Sequence, residues 1–85
     1  MMSEKAKLIQ LQTKEVCDNI AKIKDMIESN MKIVADNSRL AKALGKEDAY
    51  SAYSRAILDL QSALGGLRCA SSTMENVSKM VRHLK

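Results

Sequence analysis

The chain contains two long series of uncharged positions that repeat with the spacing of a helical heptad. In the first half, steps of four and three lead through Ile9, Thr13, Val16, Ile20, Ile23, Ile27, Asn30, Val34, Asn37, Ala41 and Leu44. In the second half, the same steps lead through Ala49, Tyr53, Ala56, Leu60, Ala63, Leu67, Ala70, Met74, Val77, Val81 and Leu84. Charged residues make up 28% of the chain, so two uncharged series of this length predict two amphipathic helices.

A short polar segment separates the two series and predicts a tight turn. Gly45 stands where a helix ends in a left-handed C-cap. Glu47 and Asp48 are expected in the first turn of the next helix, where acidic groups favour the positive end of the helix dipole, and Asp48 is a candidate N-cap. Because the connection is only a few residues long, the two helices must fold back antiparallel.

The two series remain level with each other along the predicted hairpin. Val34 lies opposite Leu60 in the middle, and Ile9 lies opposite Leu84 at the open end. We therefore predict an all-α fold, an antiparallel two-helix hairpin of the coiled-coil type, as one domain over residues 1–85. The predicted elements are a helix at about 4–44, a turn at 45–48 and a helix at about 49–84.

Gly65 and Gly66 are the main objection to an unbroken second helix. Each glycine inside a helix costs about 1 kcal/mol relative to alanine. The heptad spacing nevertheless continues through both, so we favour a continuous helix. The alternative is a three-helix bundle with a break at this pair.

Apolar residues flank both series in the half of the hairpin near the turn. They form one row spaced by seven on the first helix and another on the second, on opposite sides of the pair. This is more apolar surface than two helices can cover, so we predict that other helices dock there and complete a four-helix bundle or a larger array. The predicted partner-binding residues are Met26, Met31, Ile33, Leu40, Tyr50, Ile57 and Leu64.

The packing within the hairpin is also predicted from these series. The alanine column that begins at Ala49 is expected to face the first helix, which leaves the row of Tyr50, Ile57 and Leu64 outside the pair. Asn30 and Asn37 each lie opposite an alanine. They are either buried amides that fix the register of a partner or residues at the edge of the seam that reach water.

Composition narrows the chemistry that the chain can carry. It has 85 residues, with no proline, tryptophan or phenylalanine, which favours long helices and a small core that needs association for stability. Cys17 and Cys69 lie at different heights in the hairpin, so we expect free thiols. With His83 as the single histidine, we expect neither a metal site nor a cofactor.

The net charge of +4 raises a second possible partner. Basic residues gather at the open end of the predicted hairpin, where they suit solvated termini, the interpretation that we favour. A contact with nucleic acid is the alternative. These residues are Lys5, Lys7, Lys14, Arg82, His83 and Lys85.

The sequence contains no motif that indicates an enzyme or a membrane protein. The hydroxyl-rich segments at 51–54 and 71–73 lack a paired histidine and carboxylate, so we expect no enzyme. The sequence shows no apolar signal segment and no run of membrane-spanning length, so we expect a cytoplasmic protein, with signal-less export left open. The predicted role is a structural or adaptor subunit. The alternatives are a secretion-apparatus subunit or chaperone of hairpin type and a basic helical dimer that binds nucleic acid.

Two resemblances concern the packing pattern and the general design. The layering of alanine against larger residues resembles the Rop family of bacterial RNA-binding hairpins, which implies a dimeric four-helix bundle, although no residue motif carries over. The length and the segments Leu40-Ala-Lys, Ala52-Tyr53 and Leu60-Gln61-Ser62 resemble type III secretion needle subunits. Those usually turn at a proline-containing loop, which Gly45–Asp48 lacks, and neither resemblance assigns the chain to a family.

Overall fold

Two long helices account for almost the whole chain. The computed structural model describes residues 3–84, in which helix α1 spans Glu4–Ala43 and helix α2 spans Glu47–Val81. The helices pack along each other in a hairpin with a long dimension of 66 Å, and the described residues form no strand. The predicted all-α hairpin is confirmed.

The ends of α1 are fixed by local hydrogen bonds. At the beginning, the Ser3 hydroxyl accepts from the Ala6 amide at 3.1 Å, which satisfies one of the free N–H groups of the first turn. At the end, Gly45 has φ +73°, and its amide donates to the Lys42 carbonyl while the Lys46 amide donates to the Ala41 carbonyl. This pair of bonds is a Schellman motif, and it confirms the predicted left-handed cap at Gly45.

Helix α2 begins at Glu47, two residues earlier than predicted. Lys46 occupies the N-cap position without a side-chain hydrogen bond, so the prediction of Asp48 as N-cap is wrong. Glu47 and Asp48 both lie in the first turn, as expected from the helix dipole. The helix then continues through Gly65 and Gly66 to Val81, so the three-helix alternative does not apply to the described residues.

The face that α1 presents to α2 is built around small side chains. Its most buried residues are Ala6, Thr13, Ser38 and Ala41. These belong to a heptad series that we call the inner seam. Every member is buried or half-buried, and the series comprises Ala6, Gln10, Thr13, Cys17, Ile20, Lys24, Ile27, Met31, Val34, Ser38 and Ala41.

About half of the α1 positions that were predicted to face α2 do not do so. Thr13, Ile20, Ile27, Val34 and Ala41 face α2 as expected, but the alternate predicted positions do not. The helix is rotated so that Gln10, Cys17, Lys24, Met31 and Ser38 take their place. Small residues allow the two backbones to approach closely, and the Lys24 stem can pack while its ammonium reaches water.

On α2, the row predicted to remain outside the hairpin lies within it. Leu64 is 7% exposed and is the most buried residue of this helix, while Tyr50 and Ile57 are half-buried beside it. The centre of the face is the predicted column of Tyr53, Leu60, Leu67, Met74 and Val81, all half-buried. The alanine column therefore lies at one edge of this face, and the prediction that it points directly inward is wrong.

Contacts between the helices fix their relative height. Near the open end, Gln10 Nε2 donates to the Val81 carbonyl at 2.7 Å, and this carbonyl also accepts from the Leu84 amide. Cys17 Sγ lies 3.6 Å from Ser78 Oγ. Near the turn, the Lys42 ammonium lies 5.4 Å from the centre of the Tyr50 ring. Positions that the sequence placed at similar heights are therefore at similar heights in the structure.

Candidate interaction surface

The predicted partner-binding row on α1 lies on the outside of the hairpin. Met26, Ile33 and Leu40 are 63%, 57% and 61% exposed, which is high for side chains that are entirely apolar. Each is separated from the next by seven residues, so they lie along one side of α1. Their exposure leaves them available to a partner.

The predicted row on α2 is placed differently. Ile57 and Leu64 line one open groove together with Met31 of α1, and they contribute to the contact between the two helices. Met31, Ile57 and Leu64 line this groove, whereas Leu40 of the α1 row lines another one near the turn. Because the α2 row already packs within the chain, it offers less free apolar surface than the α1 row.

The exposed row of α1 is part of a longer uncharged series. Steps of three and four from Ile9 to Leu44 pass through Met26, Ile33 and Leu40 and encounter no charged side chain. We call this series the outer seam. Ten of its members are exposed and Asn37 is half-buried, and the series comprises Ile9, Gln12, Val16, Asn19, Ile23, Met26, Asn30, Ile33, Asn37, Leu40 and Leu44.

The outer seam combines residues that sequence reasoning had assigned to two different roles. Ile9, Val16, Ile23 and Leu44 were predicted to face α2 but are exposed, so that prediction is wrong. Gln12 and Asn19 were not recognised as members. They can be recognised in the sequence by counting steps of three and four through Met26. This count passes through Gln12 and Asn19 and meets no charged residue.

A column of alanines from α2 borders the outer seam. Near the turn, one open groove is lined by Asn37, Leu40 and Leu44 of the outer seam and by Ala49 of α2, together with Ala41, Tyr53 and the charged Lys46. The column continues from Ala49 at intervals of seven, so it remains on this side of α2. It comprises Ala49, Ala56, Ala63 and Ala70, of which Ala63 is exposed and the others are half-buried. We call the outer seam and this column together the apolar face.

The apolar face carries little charge. The next row of α2 on this side, counted in sevens, is Ala52, Asp59, Gly66, Thr73 and Met80. Asp59 is therefore the one charged side chain in these rows, and its carboxylate forms an exposed ion pair with Arg55 at 3.7 Å. An ion pair at the surface contributes little to stability. It does, however, hold Asp59 near Arg55 on α2.

The opposite side of the hairpin is more mixed. The groove that contains Met31, Ile57 and Leu64 is also lined by Glu28, Lys32 and Arg68. Its volume is about 410 Å³ and it is open to solvent. Charges of both signs surround its apolar floor, which is typical of an ordinary solvated surface. The two sides of the hairpin therefore differ clearly in character.

The two asparagines and Cys69 lie outside the inner seam, whereas Cys17 is one of its half-buried members. Asn30 is exposed and Asn37 is half-buried, which agrees with the interpretation that both lie at the edge of the hairpin interface. Cys17 is half-buried and Cys69 is exposed, and both thiols are free in the hairpin. Neither cysteine belongs to the apolar face.

The basic residues are spread around the open end. Lys5, Lys7, Lys14, Arg82 and His83 are all exposed, while Lys85 lies outside the described residues. Lys14 is 4.0 Å from the Asp18 carboxylate, so acidic groups accompany the basic ones. This arrangement suits the favoured interpretation of solvated termini.

The described residues offer little else for chemistry. No group of three or more His, Cys, Asp or Glu side chains within residues 3–84 is placed to hold a metal ion. Neither α1 nor α2 has a stretch long and apolar enough to cross a membrane.

Comparison of the chain with protein-family models, with curated proteins and with solved structures finds no significant match.

Proposed function

We propose that the protein is a non-enzymatic structural or adaptor subunit that associates with other helices through its apolar face and thereby completes a four-helix bundle. The observation that carries this proposal is the outer seam, a series of eleven uncharged positions on the exposed side of α1. In a solitary hairpin such a series serves no packing purpose, whereas in a bundle it supplies the a and d positions of a second helical interface.

The core of the hairpin supports the same proposal. The buried hydrophobic residues are only Ala6, Ala41 and Leu64, and no large side chain is fully buried in the described part of the chain. Small domains with little core usually depend on disulfides, metals or association. Since the cysteines are free and no metal cluster is present among residues 3–84, association is the remaining route to a stable fold.

The proposal is tested by placing a charge on the apolar face. Ile33→Asp should weaken association about a hundredfold or more, because an unpaired carboxylate would be buried in the bundle. Light scattering after size-exclusion chromatography, repeated over a range of concentrations, measures the change. Circular dichroism should show that the helices remain, since Ile33 makes little contact within the hairpin.

Leu58→Asp provides the matched control. Leu58 is 59% exposed, close to the value for Ile33, but it lies on the outward side of α2. The same change of apolar residue to carboxylate should leave association unchanged there. A wild-type protein that is monomeric at high micromolar concentration and binds no helical partner would refute the proposed function.

A further inference from the structure

The apolar face pairs large side chains on one helix with very small ones on the other. The outer seam of α1 supplies exposed Ile, Met and Leu side chains. Helix α2 supplies the alanine column and, on the adjoining row, Ala52 and Gly66 with Asp59 between them. A Cβ built on Gly66 would meet nothing within 4 Å, so the space above this glycine is open. One face therefore carries both a ridge and a groove, which is the requirement for a surface that is complementary to itself.

The solvent-accessible surface of the hairpin is larger than that of a compact monomer of the same mass. The chain exposes 6604 Å², whereas a compact monomer of 9.4 kDa exposes about 5,000 Å². The outer seam runs from Ile9 to Leu44, about 53 Å at 1.5 Å per residue, on a hairpin 15 Å wide, which gives a face of about 800 Å². Stable interfaces take about 800 Å² from each partner, so a single copy of this face is sufficient for a dimer.

We propose, resting on the function proposed above, that the partner is a second copy of this chain, related by a two-fold axis parallel to the helices. Each α1 then lies on α2 of the other copy, and the two turns lie at the same end of the bundle. The outer seam of each chain packs on the alanine column of the other, so that both halves of the interface are identical.

The direction of the axis follows from the size of the side chains. A two-fold axis parallel to the helices keeps every residue at its own height, so positions level within one hairpin are also level between the two copies. Met26 then meets Gly66, Leu40 meets Ala52, and Leu44 meets Ala49 of the second copy. Between Ile23 and Leu44 every outer-seam residue except Ile33 is then opposite an alanine or Gly66, which keeps the spacing between helices nearly uniform in this half. Ile33 is level with Asp59 at the edge of the contact, and toward the open end Val16 is level with Val77.

The alternative axis, perpendicular to the helices, gives poorer packing. It places α1 on α1 with the turns at opposite ends, so that Ile23, Met26 and Ile33 meet the large residues of another outer seam. The two alanine columns would face each other at the same time. The two α1 helices would have to move apart and the two α2 helices to move together. A rigid hairpin cannot do both, so the interface would contain voids.

The distance between the two turns tests the arrangement. In a background of Cys17→Ser and Cys69→Ser, Lys46→Cys carries a nitroxide label and electron–electron double resonance measures the label separation. The proposed dimer gives about 15–30 Å, from interhelical distances of 8–10 Å and the reach of the labels. The perpendicular axis gives about 60 Å, close to the length of the molecule, and would overturn this inference.

Light scattering on the labelled sample separates the two proposals. A labelled chain that associates but shows the long distance leaves the proposed function intact and refutes the arrangement. A hetero-complex with another helical protein and no self-association would refute the second copy as partner. If the wild-type chain associates with nothing, both proposals fail.

A second measurement needs no cysteine and compares neighbouring glycines. Gly66→Leu should weaken association about tenfold or more, because the added side chain collides with Met26 of the second copy. Gly65→Leu is the matched control: it changes helix propensity equally but lies 100° away on the row of Leu58, outside the face. Equal effects of both variants on association would overturn the proposed interface.

Discussion

At the scale of single residues, the turn depends on one backbone conformation. Gly45 adopts φ +73° and closes the Schellman motif that ends α1. Residues with a Cβ rarely adopt this conformation. Gly65 and Gly66 have no such requirement, since both lie in regular helix and a Cβ at either would meet no atom within 4 Å. The three glycines therefore have different roles.

Replacing these glycines by alanine should change stability in opposite directions. Gly45→Ala should lower the free energy of unfolding by about 1–2 kcal/mol per chain, because alanine is strained at positive φ. Gly65→Ala should raise it by about 0.5–1 kcal/mol, because alanine favours the helix. Chemical denaturation at one fixed protein concentration measures both. A stabilising effect of Gly45→Ala would show that the left-handed cap is not formed.

At the scale of the helices, the two sides of α2 have different tasks. The row that contains Leu64 packs against α1, while the alanine column is at the edge of that contact. On α1, the four most buried residues of the inner seam are small, whereas the outer seam exposes Ile, Met and Leu side chains. This distribution leaves bulky side chains exposed on the apolar face.

Truncating two leucines of α2 should reveal which side supports the hairpin. Leu64→Ala should cost about 2–3 kcal/mol of unfolding free energy, since this side chain is 7% exposed and its removal leaves a cavity. Leu58→Ala should change stability by less than about 0.5 kcal/mol, because Leu58 is 59% exposed. Similar losses in both variants, measured by denaturant titration, would contradict the observed rotation of α2.

At the scale of the whole molecule, the shape explains the need for a partner. A hairpin 66 Å long and only 15 Å by 12 Å in cross-section has most of its residues at the surface. The three exposed ion pairs of the described residues each join positions three or four apart on one helix, so none links α1 to α2. The contact between the helices therefore depends on a thin apolar strip.

Thermal stability should consequently depend on protein concentration. Between 1 μM and 100 μM, mass action favours a folded dimer by about 2.7 kcal/mol, which should raise Tm by about 5–10 °C. Circular dichroism melting at both concentrations measures the shift. Ile33→Asp should melt at a lower temperature that does not change with concentration. A wild-type Tm independent of concentration would indicate that the hairpin is stable as a monomer.

The sequence by itself determined the hairpin and its length. Charge-free heptads predicted both helices, Gly45 predicted the turn, and the short connection made the helices antiparallel and fixed the heights at which residues face each other. These features depend on local spacing and on backbone geometry, which a single sequence contains. The exposed row of Met26, Ile33 and Leu40 was also visible as apolar residues in excess of one seam.

Only the tertiary structure decided how each helix is rotated about its own axis. Several adjacent columns of α1 lack charge, so the heptad pattern is satisfied by more than one rotation. The choice depends on how the two surfaces pack, which brings Gln10, Cys17 and Ser38 into the contact in place of Ile9, Val16 and Ile23. It also depends on Lys24, whose charge removed it from the predicted seam although its stem packs. Those are properties of two surfaces in contact, which neither helix specifies alone.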